Sequence, residues 1–363
     1  MNTERKNQHY IPKFYLRNFS YKKNLKQIGI FNLKRDFFYQ TSKLKTQGSK
    51  KFFYGYDGII EERLGEIENL LSKTIKKIIE ELIIPKKNSN PHIDLLLFVA
   101  LTDLRNPTRI DNMKGMISGM KDKILELYPN TQIEKLIPTL THDDFIEFSI
   151  TTIPEITFNI IDLDFKLLIN ETERPFISSD NPVVRYNQFL EQKRWPHGKC
   201  GYGIIGLQIF IPLNSKIVLH FYDSSIYKVG FKRQKTHSIK NLKCIDQINT
   251  LQFINCIETI YFDENANENY IRNLKSLSLN FKKANKPQVD LSYLVDKDNN
   301  DKEIINLDQK NLIISGTTDC ETNLKIEGIK IHSRGKAYKM TNKVTQLRKH
   351  SNHLINTTRN NSY

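Results

Sequence analysis

Residues 165–184 read FKLLINETERPFISSDNPVV, and the class of fold turns on them. Phe165 to Asn170 and Pro175 to Ser178 have the composition of strands. The polar Glu171-Thr172-Glu173-Arg174 between them predicts a hairpin, and Asp180-Asn181-Pro182 turns the chain out of it. A second hairpin is predicted from Gly206 to Leu213 and Lys216 to Tyr222, around Pro212-Leu213-Asn214-Ser215. Lys26 to Asn32 (KQIGIFN) alternates like a strand that joins them. The expected sheet is mixed or antiparallel. Because residues 59–163 read as helix, the class is α+β, with that sheet packed against a helical layer.

The clearest helix runs from Ile59 to Ile84. Ile60, Leu64, Ile67, Leu71, Ile75, Ile78 and Leu82 keep a three-to-four spacing, and Pro85 follows where a helix should stop. Pro91 opens a second helix through Asp94 to Leu101 that is apolar on most sides and therefore central; Arg105-Asn106-Pro107-Thr108-Arg109 interrupts it. From Ile110 to Leu127 a helix carries Met113, Met116 and Met120 on one stripe, which suits core packing better than a cofactor site. Thr141 with Asp144 forms a capping box for the next helix, and Pro154 kinks or ends it. Helix returns at about Ile245 to Ile257, a short strand at Thr259 to Phe262, and helix again at Asn267 to Leu279.

Composition bounds the remainder. The 363 residues are 39% hydrophobic and 26% charged, the balance of a globular chain. No apolar run reaches the ~18 residues of a membrane span, and the polar N-terminus has no signal-like core, so a cytoplasmic protein is expected. Cys200, Cys244, Cys256 and Cys320 lie far apart without metal-binding spacing and read as free, mostly buried thiols. The net charge of +15 is concentrated at the ends: residues 1–26 carry +6, residues 331–363 carry +7, and the residues between carry +2. Basic ends attract RNA or DNA; the plainer alternative is a solvated tail.

The expected organisation is a single α+β domain over 1–285, with a helical part at about 59–163 and a sheet part at about 164–262. A small appended β-like element follows at 286–337, in which Leu312 to Ser315 and Leu324 to His332 are candidate partner strands. Residues 338–363 are expected to form a basic tail, partly disordered or a loosely docked helix.

HYIPKFYLRNF at 9–19 puts a titratable imidazole, a helix-starting proline, four aromatics and two cations in one short stretch. Pro12 starts a helix that ends near Phe19, anchored by Phe14, Tyr15, Leu16 and Phe19. This stretch, the Phe-Tyr patch and acidic Ile-Glu-Asn helix at 52–70, LRNPTR at 104–109, PFISSDNPVV at 175–184, FIPLNSK at 210–216 and IDQIN at 245–249 occur in a distinctive order. In this set the chain resembles a widespread bacterial family, the domain of unknown function family 4238, over about residues 7–265. Asn106 stands where Thr is expected and Asn214 where Ser is more usual. The resemblance implies stand-alone cytoplasmic proteins without an established chemistry, some in defence or stress settings.

The motif residues suggest a site for an anionic substrate. The imidazole of His9 can move a proton or ligate a metal; Asp180, at a strand end, can orient His9 or a metal-bound water. Arg105 and Arg109, four residues apart, can aim two guanidinium forks at one phosphate or carboxylate, and Tyr15, Arg17, Ser179 and Asn181 complete the substrate contacts. No cofactor signature is evident, and a divalent metal is compatible with His9 and Asp180. In the structural alternative, Asp180 pairs with Arg17 or Arg105 and caps a turn, His9 satisfies a backbone group, and the motifs hold helices on the sheet.

Other patterns are set aside. Gly201-Tyr202-Gly203-Ile204-Ile205-Gly206 spells a dinucleotide fingerprint without the strand before it or the helix after it; it reads as a flexible loop, a lid over the Asp180 end of the sheet with Trp195 as a contact. His142-Asp143-Asp144 opens a helix and needs no metal, and His220 belongs in a core strand. Three functions from different classes remain: a nuclease-like hydrolase or effector acting on nucleic acid or nucleotide; a non-catalytic RNA- or DNA-binding module that stacks bases on Tyr10, Phe14 and Phe38; and a protein-interaction or sensor subunit with a structural polar core.

Overall fold

In a computed structural model that describes residues 6–130, 132–196, 198–281, 288–297, 303–315, 322–341 and 346–360, the chain opens with β1 (Asn7–His9) and a single helical turn, α1 (Lys13–Leu16). A 3₁₀ turn continues α1 to Phe19, and Tyr15, Leu16 and Phe19 are buried, which is what holds so short a helix. β2 (Gln27–Asn32) and β3 (Phe37–Lys43) form an antiparallel hairpin, and β4 (Ser49–Lys51) returns to pair with β1.

The helical layer follows the apolar periodicity. It comprises α2 (Ile59–Glu81), α3 (Asn90–Leu104), α4 (Pro107–Leu127), α5 (Ile133–Leu136), α6 (His142–Thr151) and α7 (Ile153–Asn159). Leu64, Leu71, Ile75 and Ile78 bury the stripe of α2, each contributing about 1.5–3 kcal/mol, whereas Ile67 and Leu82 of the same pattern stay at the surface. Apolar on most sides, α3 is buried almost throughout and is packed by both α2 and α7. Pro107 starts α4 under an Asn106 cap, the Thr141–Asp144 capping box starts α6, and Pro154 sits in the first turn of α7. Among the described residues no helix is long and apolar enough to cross a membrane.

Beyond the helices come β5 (Asp164–Asn170), β6 (Ser178–Ser179), β7 (Val184–Tyr186), α8 (Gln188–Gln192), β8 (Gln208–Asn214), β9 (Ile217–Tyr222), β10 (Tyr227–Val229), β11 (Thr236–Ile239), α9 (Leu242–Asn255), β12 (Thr259–Phe262) and α10 (Glu268–Ser278). The hairpin expected from residues 206–222 forms as β8–β9. The one expected from residues 165–184 does not. β5 pairs antiparallel with β9 and parallel with β11, in a five-stranded mixed sheet of order β11-β5-β9-β8-β7. β6 pairs with β12 in a second sheet of order β3-β2-β12-β6, so the strand near residue 28 belongs to this sheet and does not join the first. Composition specified that both segments are extended; it carried nothing about which partner each would find.

Both faces of the five-stranded sheet are covered, which is why β8 and β9 read as nearly continuous apolar runs. Leu167, Ile209, Ile211, Leu219 and Phe221 pack on the helical layer with Leu95, Phe98 and Val99 of α3. Leu168, Phe210, Val218 and Tyr222 point the other way, toward Ile245, Ile248 and Leu251 of α9. His220 lies within this second face, stacked on Phe210 with 4.3 Å between ring centroids, as its strand position implied.

Three C-terminal features differ from expectation. β13 (Gln288–Lys297) pairs antiparallel with β14 (Glu303–Ser315), so Leu312 to Ser315 take β13 as partner, while β15 (Ile329–Ile331) pairs with β10. After α11 (Ser333–Lys336) the chain is anchored before its last helix, α12 (Lys349–Asn360). The Arg348 side chain, 3% exposed, binds both oxygens of Asp162 at 2.8 and 3.1 Å and the Ile204 carbonyl at 3.0 Å. The expectation of a loose tail therefore fails at Arg348, whose charge serves the core. The Gly201–Gly206 loop is no lid either: Ile205 N–H donates to Gln346 O at 2.8 Å and Arg348 N–H to Gly203 O at 2.8 Å, strapping it to this segment. Cys200, Cys244 and Cys256 are buried thiols outside any disulfide, and Cys320 lies outside the described residues.

Candidate functional site

The PFISSDNPVV motif is held by a ladder of polar side chains on α9. Asp246, Asn249, Gln252 and Asn255 recur every three residues along one side of that helix. Asp246 pairs with Arg174. Asn249 accepts from Ile177 N–H at 3.0 Å and donates to Pro175 O at 2.8 Å. Gln252 accepts from the Ser179 hydroxyl at 2.8 Å and donates to Pro182 O at 3.0 Å; Asn255 donates to Asn181 O at 2.6 Å while its own carbonyl accepts from Asn181 Nδ2 at 3.0 Å. These amides satisfy backbone that would otherwise be buried without partners, so Ser179 and Asn181 are scaffold and not substrate contacts.

Asp180 is committed in the same way. Its Oδ1 accepts from Ile257 N–H at 2.8 Å and from the Cys256 thiol at 3.3 Å, and its Oδ2 accepts from Glu258 and Thr259 N–H at 2.8 Å each. Burial raises its proton affinity and the three N–H donors oppose that. Four donors occupy the carboxylate, and none is His9, so its expected role in orienting His9 or a metal-bound water fails. It caps the turn into β12 through backbone donors, with neither Arg17 nor Arg105 as partner. Tyr15 is likewise interior: its hydroxyl donates to Pro212 O at 2.7 Å and accepts from Ser178 Oγ at 2.7 Å.

Arg105 and Arg109 do not converge. Arg105, buried, donates from Nη1 to Glu68 Oε1 at 2.7 Å. Arg109 forks onto Asp103 Oδ1 at 2.9 and 2.7 Å, and Asp103 also receives the Tyr202 hydroxyl. The helix break at Asn106, whose side chain donates to Asp180 O at 2.7 Å, sends the two arginines to separate carboxylates.

His9, Arg17 and the residues around them make a real concavity. A cleft of about 310 Å³ lies between α1 and α2, lined by His9, Lys13, Phe14, Arg17, Glu61, Gly65, Glu68, Asn69 and Ser72. Glu61, Gly65, Glu68 and Ser72 recur at helical spacing on one face of α2, and a side chain at Gly65 would meet open space, so this glycine leaves the cleft floor clear between two carboxylates. His9 is 4% exposed. Its Nε2 lies 3.1 Å from Lys45 O, and since a carbonyl only accepts, Nε2 carries the hydrogen. Nδ1 then has no hydrogen-bond partner and stands 3.7 Å from Glu61 Oε1. Lys13 and Arg17 are exposed at the cleft.

The expected site thus splits: His9 and Arg17 share the cleft, Arg105 supports it from behind through Glu68, and Tyr15, Arg109, Ser179, Asp180 and Asn181 build the fold. Sequence reading missed Glu61 and Glu68; a mid-helix glycine with carboxylates four before and three after it was the available signal. Among the described residues no group of three or more His, Cys, Asp or Glu side chains is arranged to hold a metal ion.

A two-sheet α+β domain whose amino-terminal motif lines a polar cleft is the class that this architecture defines. Residues 7–266 match the family model described as Protein of unknown function (DUF4238), and the chain belongs to that family. No curated protein and no solved structure matches it significantly.

Proposed function

We propose that the protein is a cytoplasmic effector of the hydrolase class, nuclease-like, acting at the His9 cleft on a phosphate-containing substrate such as nucleic acid or nucleotide. One observation carries this reading: a buried imidazole fixed through Nε2, with its unpartnered Nδ1 beside a carboxylate in a cleft that also presents Lys13 and Arg17. The two cations hold the phosphate, Nδ1 takes the proton of the attacking water, Glu61 stabilises the imidazolium, and the proton returns to the leaving oxygen. A defence or stress setting follows only from the family resemblance.

The test is turnover of labelled single-stranded RNA, single-stranded DNA and nucleoside triphosphates. His9→Asn should lower the rate by about 10²–10⁴-fold with folding retained, and Lys13→Gln with Arg17→Gln should raise KM. Turnover that survives His9→Asn in a folded protein refutes the assignment.

A second reading, a non-catalytic nucleic-acid-binding module, is favoured by a separate feature. Phe37 and Tyr39, each 49% exposed, stack on one another at 5.9 Å on the strand β3, a surface suited to unpaired bases. Binding lost in Phe37→Ala and Tyr39→Ala, with no turnover by the wild type, selects it.

A further inference from the structure

A second cavity, of about 430 Å³, opens where β5 begins and β9 ends, beside β10 and the loop that leads to β11. Lys87, Lys166, Lys228, Lys232 and Lys235 line it, against a single carboxylate, Asp164. Two of these lysines are used by the fold. Lys166 Nζ donates to the Val229 and Phe231 carbonyls at 2.5 and 2.7 Å, fixing the loop to the cavity floor, and Lys87 pairs with Asp164 at 3.1 Å.

Lys228, Lys232 and Lys235 are exposed and pair with no carboxylate among the described residues. Lys330 lies directly opposite Lys228 in the β10–β15 ladder and adds a further positive charge at the edge. Burial, and then the charge of Lys235, lower the proton affinity of Lys166, and Asp164 opposes them. Tyr222 and Phe165 give the same cavity apolar walls.

We infer that this cavity binds a compact anion carrying two or more phosphate groups, of the nucleoside di- or triphosphate class. Its concave shape and size suit a small molecule, and three cations with no carboxylate partner among the described residues line it from one strand and one loop. An extended nucleic-acid strand has the same phosphate chemistry but needs an open groove. The site is separate from the His9 cleft and does not depend on the activity assigned there.

Titration calorimetry of the full chain with pyrophosphate, ATP and a short single-stranded RNA, at two salt concentrations, tests this. Pyrophosphate and ATP should bind, more weakly at high salt, and Lys228→Gln with Lys235→Gln should weaken both at least roughly tenfold. Because both side chains are exposed, the double variant should melt like the wild type. Absence of pyrophosphate and ATP binding, unchanged affinity in the double variant, or RNA binding alone overturns the inference.

Discussion

His9 and Glu61 meet twice: the backbone N–H of His9 donates to Glu61 Oε1 at 3.1 Å, and the imidazole Nδ1 stands 3.7 Å from the same oxygen. The first contact locks β1 onto α2, and the second places a negative charge where a protonated imidazole would form. Glu61→Gln keeps the acceptor and removes the charge. It should reduce kcat roughly tenfold, from a loss of about 1–2 kcal/mol in a partly desolvated cleft, and leave KM nearly unchanged. Steady-state kinetics on whichever substrate the wild type turns over provide the check.

Asp180 belongs to stability. Asp180→Asn sets an amide against N–H groups of Ile257, Glu258 and Thr259 that need acceptors. The expected loss is at least about 3 kcal/mol in urea unfolding, with anion binding by the folded fraction unaltered. A variant as stable as wild type would remove the capping role.

Buried Arg105 pairs with the partly exposed Glu68 at the back of the cleft. Arg105→Met should cost about 3–5 kcal/mol, because Glu68 loses its counter-charge, and adding Glu68→Gln should recover part of that. A double-mutant cycle that comes out additive contradicts the coupling.

Acid should weaken the fold through two histidines. Burial lowers the His92 pKa to about 4, with Lys87 adding to the shift, and burial lowers that of His220 to about 3. Both lie below the unfolded value of about 6.5, so the unfolded chain binds protons that the native one refuses. This contribution to stability is complete above about pH 6.5 and is lost as pH falls toward 4 and then 3. His92 Nδ1 accepts from Asn88 N–H at 3.1 Å, a bond that protonation would break. Urea midpoints across this window should fall with pH, and less steeply in His220→Leu.

The C-terminal anchor is testable by Arg348→Ala, which leaves Asp162 and the Ile204 carbonyl without their partner. The expected cost is about 3–5 kcal/mol, read as a lower melting temperature. Were the segment only a solvated basic tail, the substitution would be neutral.

Legibility in the sequence followed the range of the interactions. Helices α2, α3 and α6 and the β8–β9 hairpin rest on contacts within a few residues, such as the Thr141–Asp144 box. They could be read directly. The site was half legible: the stretch 9–19 pointed to His9 and Arg17, but Glu61 sits 52 residues from His9, with nothing in its own neighbourhood to mark the meeting. Asp180, Ser179 and Asn181 looked functional because polar side chains at a strand end often are. Their partners on α9 and in the turn into β12, more than 70 residues away, turn them into scaffold.

The sequence by itself determined that the helices of residues 59–163 precede the strands of the sheet part, that α3 is central, that β8 and β9 pair, and that His9 stands in an aromatic, cationic motif. These follow from periodicity, caps and turns, which act locally on the chain. Only the tertiary structure decided that residues 165–184 divide between two sheets, that Arg105 and Arg109 serve different carboxylates, and that Arg348 is buried. An extended segment or a buried charge takes the partner that satisfies its hydrogen bonds in the packed molecule, and sequence distance does not encode that choice. The His9 cleft exists because β1, held by Glu61, lies against α2 where Gly65 leaves room.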